Sequence, residues 1–309
     1  AEKNDKIVAI TASMKDGTGL TKFQKQFPKR FFDIGIAEQH AVTLAAGMAT
    51  QGLIPVVPIY SSFYQRAYDQ VIHDIAIQNL HVILCVDRAG IVGADGETHQ
   101  GLLDMAFFRL VPNLVIMAPK DFKELEEMLE FAVNIEKPVV IRYPRGGEDK
   151  KIKFETHNKI ELGKSEILKE FDNDKTEVLE NQNLENKENS ENKEKAKNVS
   201  IIAIGKMVSR AMKIAEKEEK NGNNVCVVNS RFLKPFDRTN ILEILKKSDK
   251  VITIEDGTII NGLGTTIKEI IAEENLKNIE IENQAYPDEF IQHGSVDQLE
   301  DMYLGEIEL

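Results

Sequence analysis

A glycine-rich loop with several ionisable side chains is the first place in this sequence where chemistry is expected. It runs from 87 to 101 as DRAGIVGADGETHQG and follows an apolar run of strand length. Glycine lets a backbone approach a ligand closely, and a loop that combines it with acids, an arginine and a histidine is not composed for packing. Arg88, Asp95 and His99 are candidates for charge stabilisation and proton transfer. We interpret this loop as part of an active site.

A second candidate is the carboxyl group of Glu38, in the sequence GIAEQH at 35–40. Small and apolar residues follow it at helical spacing, so Glu38 is predicted to lie at the start of a helix. One interpretation is a partly desolvated carboxyl that shares a proton with a ligand nitrogen. The alternative is a purely structural charge, because an acidic residue is stabilised by the dipole at a helix N-terminus.

Aromatic and cationic residues gather where predicted strands end. Tyr60 and Phe63 lie between an apolar strand and a helix, a position where doubly wound sheets bind ligands. Phe63 taken alone would also suit a hydrophobic core. Four arginines fall at or near such ends: Arg66, Arg88, Arg142 and Arg145. Arginines that converge on one edge of a sheet can bind a phosphate or carboxylate through bidentate hydrogen bonds. The alternative is that these arginines form scattered surface ion pairs.

The remaining histidines and glycine-rich runs do not indicate a metal or nucleotide site. His40, His73, His81, His157 and His293 have no zinc-site spacing to a cysteine pair. No P-loop is present, nor a GxGxxG between strand and helix. The glycines at 257–264 are interpreted as a strand-to-helix turn. We therefore expect no metal ligand in this chain.

Apolar runs of strand length alternate with amphipathic helix-length segments in both halves of the chain. In the first half, strands are predicted at 54–60, 81–87, 114–118 and 139–143, and helices at 37–51, 65–78 and 121–135. In the second half, strands are predicted at 199–205, 225–230, 251–255 and 279–283, and helices at 209–221, 238–247 and 264–274. Val/Ile runs separated by helices are typical of parallel sheets covered on both faces. The predicted fold class is α/β, with two doubly wound domains whose sheets are mostly parallel.

The expected domains are residues 1–160 and 199–309, joined by a linker at 161–198. Most of that linker, 170–198, is rich in acidic residues, lysine and asparagine and poor in apolar side chains. Such a segment cannot bury enough surface to offset the entropy of ordering it. We interpret it as a disordered insertion; an acidic docking tail is the alternative.

Bulk properties narrow the class of partner. A net charge of -12 argues against nucleic acid and anionic membranes, because both need a basic face. Cys85 and Cys226 both lie in apolar runs, which indicates reduced thiols and a cytoplasmic protein. No apolar run is long enough to cross a membrane. The chain begins with Ala1, so we expect a fragment, a processed chain or a separate subunit.

Taken together, these motifs resemble the 1-deoxy-D-xylulose-5-phosphate synthases, a thiamine-diphosphate family of the transketolase superfamily. The resemblance rests on 35–40, 60–74, 87–101 and the sequence RYPRG at 142–146, and extends from about Ile7 to the end of the chain. DRAGIVGADGETHQG is the specific motif, whereas GIAEQH indicates only the superfamily. The resemblance implies a pyrimidine-binding domain at 1–160 and a transketolase-type C-terminal domain at 199–309. The family's GDG…N motif, which binds magnesium and diphosphate, is absent, so those ligands are expected in a separate N-terminal domain.

The resemblance also implies roles for individual residues. Glu38 would hydrogen-bond to the aminopyrimidine ring of thiamine diphosphate, and Phe63 would stack on that ring. Arg66 and Arg145 would hold the phosphate of D-glyceraldehyde 3-phosphate, with Tyr60 and Arg88 nearby. Asp95 and His99 would line the pocket where pyruvate reacts and loses CO2. The implied protein is a cytoplasmic homodimeric transferase for isoprenoid, thiamine and pyridoxal precursors.

Three alternatives share these features. The first is the β subunit of a pyruvate dehydrogenase-type decarboxylase, which also supplies a catalytic glutamate from two such domains. The second is a C-terminal transketolase subunit. The third is a non-catalytic assembly or regulatory module, which the missing magnesium motif favours and the intact candidate residues disfavour. The arginines and the 87–101 loop favour a phosphorylated aldehyde as acceptor.

Overall fold

The computed structural model describes residues 1–149, 151–154, 158–176 and 196–305. The strands are β1 (Ile7–Thr11), β2 (Phe31–Asp33), β3 (Ile54–Tyr60), β4 (Ile83–Asp87), β5 (Val115–Met117), β6 (Val139–Arg142), β7 (Glu166–Lys169), β8 (Asn198–Ala203), β9 (Asn224–Asn229), β10 (Phe232–Lys234), β11 (Lys250–Thr258) and β12 (Glu280–Tyr286). The helices are α1 (Thr21–Gln26), α2 (Glu38–Ala49), α3 (Ser61–Tyr64), α4 (Tyr68–Gln70), α5 (Asp104–Arg109), α6 (Phe122–Asn134), α7 (Met207–Lys220), α8 (Arg238–Leu245), α9 (Leu263–Glu273) and α10 (Val296–Leu304).

Two sheets organise the molecule. The first has seven strands in the order β10-β5-β6-β4-β3-β1-β2, and the second has five in the order β12-β11-β8-β9-β7. Every pairing is parallel except those of the edge strands β10 and β7, which run antiparallel to β5 and β9. Helices cover the sheets, and β4, β6, β8 and β9 are buried along their whole length. The predicted α/β class with mostly parallel sheets is confirmed.

One edge strand of each sheet comes from an unexpected part of the sequence. β10 lies in the second half of the sequence, yet it pairs with β5 and so forms an edge of the first sheet. β7 lies within the stretch expected to be a linker, and it pairs with β9 at an edge of the second sheet. The segments that were expected only to connect the domains therefore contribute strands to the sheets.

The low-complexity tract is described only at its ends. Residues 177–195, like His157, lie outside the described residues. Before the gap, the side chain of Asn224 donates hydrogen bonds to the Asp172 carbonyl and the Thr176 hydroxyl, at 3.1 and 2.9 Å. After the gap, β8 already begins at Asn198. Both described ends are thus held by the second sheet.

Predicted helices and strands lie where expected, with ends shifted by a few residues, but one helix differs in kind. The helix predicted at 65–78 is instead a succession of short turns, with a 3-10 turn at Gln65–Ala67, then α4, then a π-helical turn at Val71–Ala76. Such wide turns are uncommon and often occur at functional sites. In the described residues, no helix is long and apolar enough to cross a membrane.

The buried carboxyl of Glu255 gives the C-terminal sheet a distinct pH response. Its pKa is raised to about 7 by burial, although the amides of Leu263 and Gly264 each donate a hydrogen bond to it at 2.8 Å. Because the folded pKa exceeds the unfolded value, the folded chain binds this proton more tightly. Its stabilisation is complete below the unfolded pKa and is lost as the pH rises through about 7.

We expect Glu255→Gln to flatten the decline in unfolding free energy between the unfolded carboxyl pKa and about pH 7. A shift of this size corresponds to on the order of 3 kcal/mol, since each pKa unit is worth about 1.4 kcal/mol. Urea denaturation of both proteins at a series of pH values measures the difference. An identical pH dependence in wild type and variant would show that Glu255 does not titrate in this range.

Candidate active site

The candidate site lies at the carboxyl ends of three neighbouring strands. In the first sheet β3, β4 and β6 are adjacent, and Tyr60 is in register with Asp87 while Val86 is in register with Arg142. Parallel strands end at the same edge of a sheet, so the segments after them converge. The predicted residues at 60–66, 87–101 and 142–146 are thereby brought to one edge.

Glu38 begins α2 and is almost completely buried, with 2% of its surface exposed. No side chain caps this helix, and Glu38 is the acidic residue in its first turn. The helix dipole therefore favours negative charge at this position. Its Oε1 accepts a hydrogen bond from Nη1 of Arg66 at 2.9 Å, and Arg66 itself is half exposed. The structure thus places a buried carboxylate beside a half-exposed cation.

Aromatic rings connect this carboxylate to the glycine-rich loop. Phe63 stacks on Tyr60 with ring centroids 5.6 Å apart, and its other neighbour is the His99 ring, edge-on at 5.3 Å. The guanidinium of Arg66 lies 4.9 Å from the Phe63 centroid. Phe63 is only partly buried, so it packs against the core and also presents ring surface at the site. A flat ligand ring would find a stacking partner there.

Arg88 is held in a strained backbone conformation. Its φ is +58°, in the left-handed region that non-glycine residues seldom adopt. Its guanidinium lies 3.6 Å from the Tyr60 centroid and 3.4 Å from the Asp87 carboxylate. Burial raises the pKa of Asp87, an effect that the Arg88 charge opposes. This strain at a strand end keeps a cation against Tyr60, beside the other site residues.

The loop that carries Asp95 and His99 is closed at its neck. The amides of Gly90 and Gly101 each donate a hydrogen bond to the other's carbonyl at 2.7 Å. At the tip, Asp95 pairs with Arg145 from the segment after β6, at 2.7 Å. Both side chains remain substantially exposed, so a ligand can reach either.

Six of the eight residues to which the resemblance gives roles form one group connected by contacts, and Asp95 and Arg145 form a separate pair. Glu38 contacts Arg66, which lies on Phe63, and Phe63 contacts both Tyr60 and His99. Tyr60 in turn has Arg88 on its ring, and its hydroxyl is within the influence of the charges of Arg145 and Asp95. Burial raises the pKa of that hydroxyl.

Arg142 is the exception among the arginines expected to clamp an anion. It is 3% exposed and is bound by two carboxylates, with Nε 3.1 Å from Asp104 and Nη1 2.5 Å from Asp256. The desolvation that lowers the pKa of its guanidinium is outweighed by these two charges. A ligand cannot reach it, so the interpretation of Arg142 as part of a clamp is wrong.

Sequence reasoning missed two neighbours of the site. Gly17 lies against Tyr60, so any side chain at Gly17 would collide with the Tyr60 hydroxyl. The Gly17 carbonyl accepts a hydrogen bond from Nη1 of Arg88 at 3.4 Å. Asp256 comes from the C-terminal half and lies against Gly90. The KDGTG run at 15–19 was a visible turn signal for Gly17, whereas no local pattern indicates Asp256.

A cleft of about 610 Å³ lies between the two halves of the molecule, and Phe63 and His99 are not among the residues that line it. Its walls include Ser62, Gln65, Thr98 and Gln100 on one side and 287–291 on the other. Its volume is in the range of ordinary small-molecule sites. In the described part of the chain, no three histidine, cysteine, aspartate or glutamate side chains are grouped to hold a metal ion.

Two family models match this chain. The transketolase pyrimidine-binding domain matches residues 1–147, and the transketolase C-terminal domain matches residues 189–307. A solved structure described as a split-gene transketolase, an inactive β4 tetramer, superposes with a TM-score of 0.78 at 30% identity, over 98% of this chain and 88% of that one. The chain belongs to the transketolase family. Campylobacter jejuni transketolase shares the fold, with a TM-score of 0.71 at 16% identity over 99% of this chain and 43% of its own.

Curated proteins that are similar in sequence to this chain are 1-deoxy-D-xylulose-5-phosphate synthases. The enzyme of Natranaerobius thermophilus is 47% identical over 95% of this chain, and that of Clostridium acetobutylicum is 44% identical over the whole of it. These alignments cover 43% and 46% of the relatives' own length. This transketolase-family chain therefore spans less than half the length of the synthases it matches.

Proposed function

We propose that this chain is the C-terminal part of a 1-deoxy-D-xylulose-5-phosphate synthase. The complete enzyme would condense pyruvate with D-glyceraldehyde 3-phosphate, release CO2, and serve the synthesis of isoprenoid, thiamine and pyridoxal precursors. The observation that carries the proposal is the buried Glu38 carboxylate, which lies beside stacked aromatic rings and the half-exposed Arg66, at the same sheet edge as Arg88 and the half-exposed Arg145. The synthase relatives, at 44–47% identity, supply the reaction class.

The donor set suits thiamine diphosphate at its pyrimidine end. Glu38 offers a carboxylate for a ring nitrogen, and Phe63 offers a ring face for stacking. When bound, that cofactor acts as the electron sink that lets pyruvate lose CO2. The diphosphate and Mg²⁺ also need ligands, and the described residues group no three histidine, cysteine, aspartate or glutamate side chains that could hold a metal ion. We assign those ligands to an N-terminal domain, present in the same polypeptide or as a separate chain, in a cytoplasmic homodimer.

The chain's own residues then divide the work. Glu38 holds a proton at the cofactor's ring nitrogen, and Arg66, now bonded to Glu38, is released to bind an anion. Arg66, Arg88 and Arg145 hold the phosphate of the acceptor, assisted by the neutral hydroxyl of Tyr60. Asp95 and His99 line the pocket for pyruvate, where His99 donates a hydrogen bond to the developing oxyanion.

The test is thiamine-diphosphate-dependent CO2 release from pyruvate, with and without D-glyceraldehyde 3-phosphate. We expect none from this chain alone and acceptor-stimulated release when it is combined with its N-terminal domain. The split-gene neighbour, described as inactive, favours that requirement. Activity of the chain alone would place the diphosphate site within it. Release that does not respond to the aldehyde would favour a decarboxylase β subunit, and no release from the folded mixture would favour a non-catalytic module.

Replacement of Arg145 tests the phosphate assignment. We expect Arg145→Ala to raise the KM for D-glyceraldehyde 3-phosphate by roughly 10- to 100-fold, since a charge-assisted hydrogen bond contributes about 1.5–3 kcal/mol. The KM for pyruvate should change much less. Steady-state kinetics with each substrate varied in turn measures both, and Arg109→Ala, which removes an arginine paired with Glu269 outside the site, is the matched control. A change confined to pyruvate would make the assignment wrong.

A further inference from the structure

The carboxylate of Asp256, in the C-terminal half, reaches the base of the candidate site. Asp256 lies near the end of β11 and is 1% exposed. Its Oδ1 accepts a hydrogen bond from Nη1 of Arg142 at 2.5 Å. Arg142 is the last residue of β6, and Arg145 follows it three residues later. Asp256 therefore holds the strand end from which the Arg145 segment departs.

The other carboxylate oxygen of Asp256 faces Gly90, at the neck of the 87–101 loop. Gly90 has a φ of +75°, and a Cβ at that position would lie 2.5 Å from Asp256 Oδ2. Gly90 forms the paired hydrogen bonds with Gly101 that close the loop. The carboxylate thus fits directly against Gly90, which explains the absence of a side chain at that position.

We propose that Asp256 is a positioning residue, through which the C-terminal domain fixes the segments that carry Arg145 and His99 relative to each other. The proposal rests on the function proposed above, because it assigns these two residues to acceptor and pyruvate. Asp256 touches no reacting group itself. It acts through Arg142 on one segment and through the Gly90–Gly101 pair on the other.

Two features separate positioning from mere charge neutralisation. Arg142 already has a buried partner in Asp104, so its charge remains paired without Asp256. The C-terminal half also contacts the same loop elsewhere: Nε2 of Gln100 donates to the Gln292 carbonyl at 3.2 Å, and the Thr258 amide donates to the Leu102 carbonyl at 2.9 Å. Asp256 thus adds a charged contact to the two hydrogen bonds that the C-terminal half makes with this region.

The first experiment measures loop closure directly, without relying on activity. We expect Asp256→Asn, a neutral side chain of the same shape, to accelerate amide hydrogen exchange at Gly90 and Gly101 at least tenfold in the complete protein. Glu255→Gln is the matched control, because Glu255 is equally buried on the same strand but caps α9 instead. Unchanged exchange in Asp256→Asn, or equal acceleration in both variants, would overturn the proposal.

The second experiment reads the consequence in kinetics. Asp256→Asn should raise the KM for D-glyceraldehyde 3-phosphate about tenfold and change cofactor affinity less than twofold. In an Arg145→Lys background the same substitution should add less than twofold, since both act on one phosphate contact. A general loss of stability would lower kcat and cofactor affinity together and would be additive with Arg145→Lys, which would contradict a positioning role.

The two experiments distinguish this inference from the proposed function. If the wild-type enzyme releases no acceptor-stimulated CO2 but Asp256→Asn opens the loop, the assignment of the reaction is wrong and the positioning of the loop stands. If the wild type is active and neither exchange nor acceptor KM responds to Asp256→Asn, the positioning role is wrong and the reaction stands.

Discussion

Glu38→Ala is expected to lower the turnover of the complete enzyme by about 10²–10⁴, the usual contribution of a positioned proton-transfer group. The carboxyl is 2% exposed at the first residue of α2, where Arg66 donates a hydrogen bond to it. The effect should appear in kcat for CO2 release at saturating cofactor. Glu38→Gln should behave similarly, because an amide keeps the shape of the side chain but cannot exchange the proton.

The fold should survive this substitution. The partner left behind, Arg66, is half exposed and remains hydrated, so the substitution buries no unpaired charge. Glu126→Gln, which removes a surface carboxylate from α6, serves as the control for charge and handling. A turnover near that of wild type in Glu38→Ala would remove Glu38 from the mechanism and leave it as a helix-terminal charge.

Local patterns were sufficient for the parts of the fold that are locally encoded. The Val/Ile runs of β4, β6, β8 and β9 are buried on both faces, so their strand character and parallel pairing are visible in the sequence. The short strand β10 is not, because its three residues carry no strand-length apolar run. It forms only because the chain returns from the second sheet to the first.

The candidate site, too, could be predicted only in part from local sequence. The ends of β3, β4 and β6 could be predicted to converge, because neighbouring parallel strands end together. Arg142 resembled Arg145 in sequence, but its partners Asp104 and Asp256 lie 38 and 114 residues away. Contacts at such separations depend on how the halves pack. The pairing of Glu38 with Arg66 was likewise invisible until the irregular turns after β3 were known.

The same long-range packing creates a buried charge cluster where the halves meet. Glu124 of α6 accepts hydrogen bonds from Nζ of Lys120 at 3.2 Å and from Nε of Arg231 at 2.7 Å. Glu166 of β7 bonds to the same two cations, at 2.8 and 2.9 Å. Nδ2 of Asn229 donates to both carboxylates, and all four charged side chains are at most 2% exposed. The two positive and two negative charges of this buried cluster balance.

Glu124→Gln should therefore destabilise the chain by about 3–5 kcal/mol, the cost of removing one member of a buried ion pair. The substitution leaves Lys120 and Arg231 with a single carboxylate, Glu166, and so buries an excess positive charge. Urea denaturation measures the loss. Because the cluster joins α6 to elements of the second sheet, we also expect the variant to unfold in two separated transitions.

The matched control lies on the same helix. Glu126→Gln removes an exposed carboxylate two residues away and should change the unfolding free energy by less than about 0.5 kcal/mol, as surface substitutions usually do. Equal effects of the two variants would mean that loss of helix charge, and not the buried cluster, sets the stability. A large effect of Glu124→Gln in one cooperative transition would keep the cluster as a source of stability but remove it as the coupling between the two sheets.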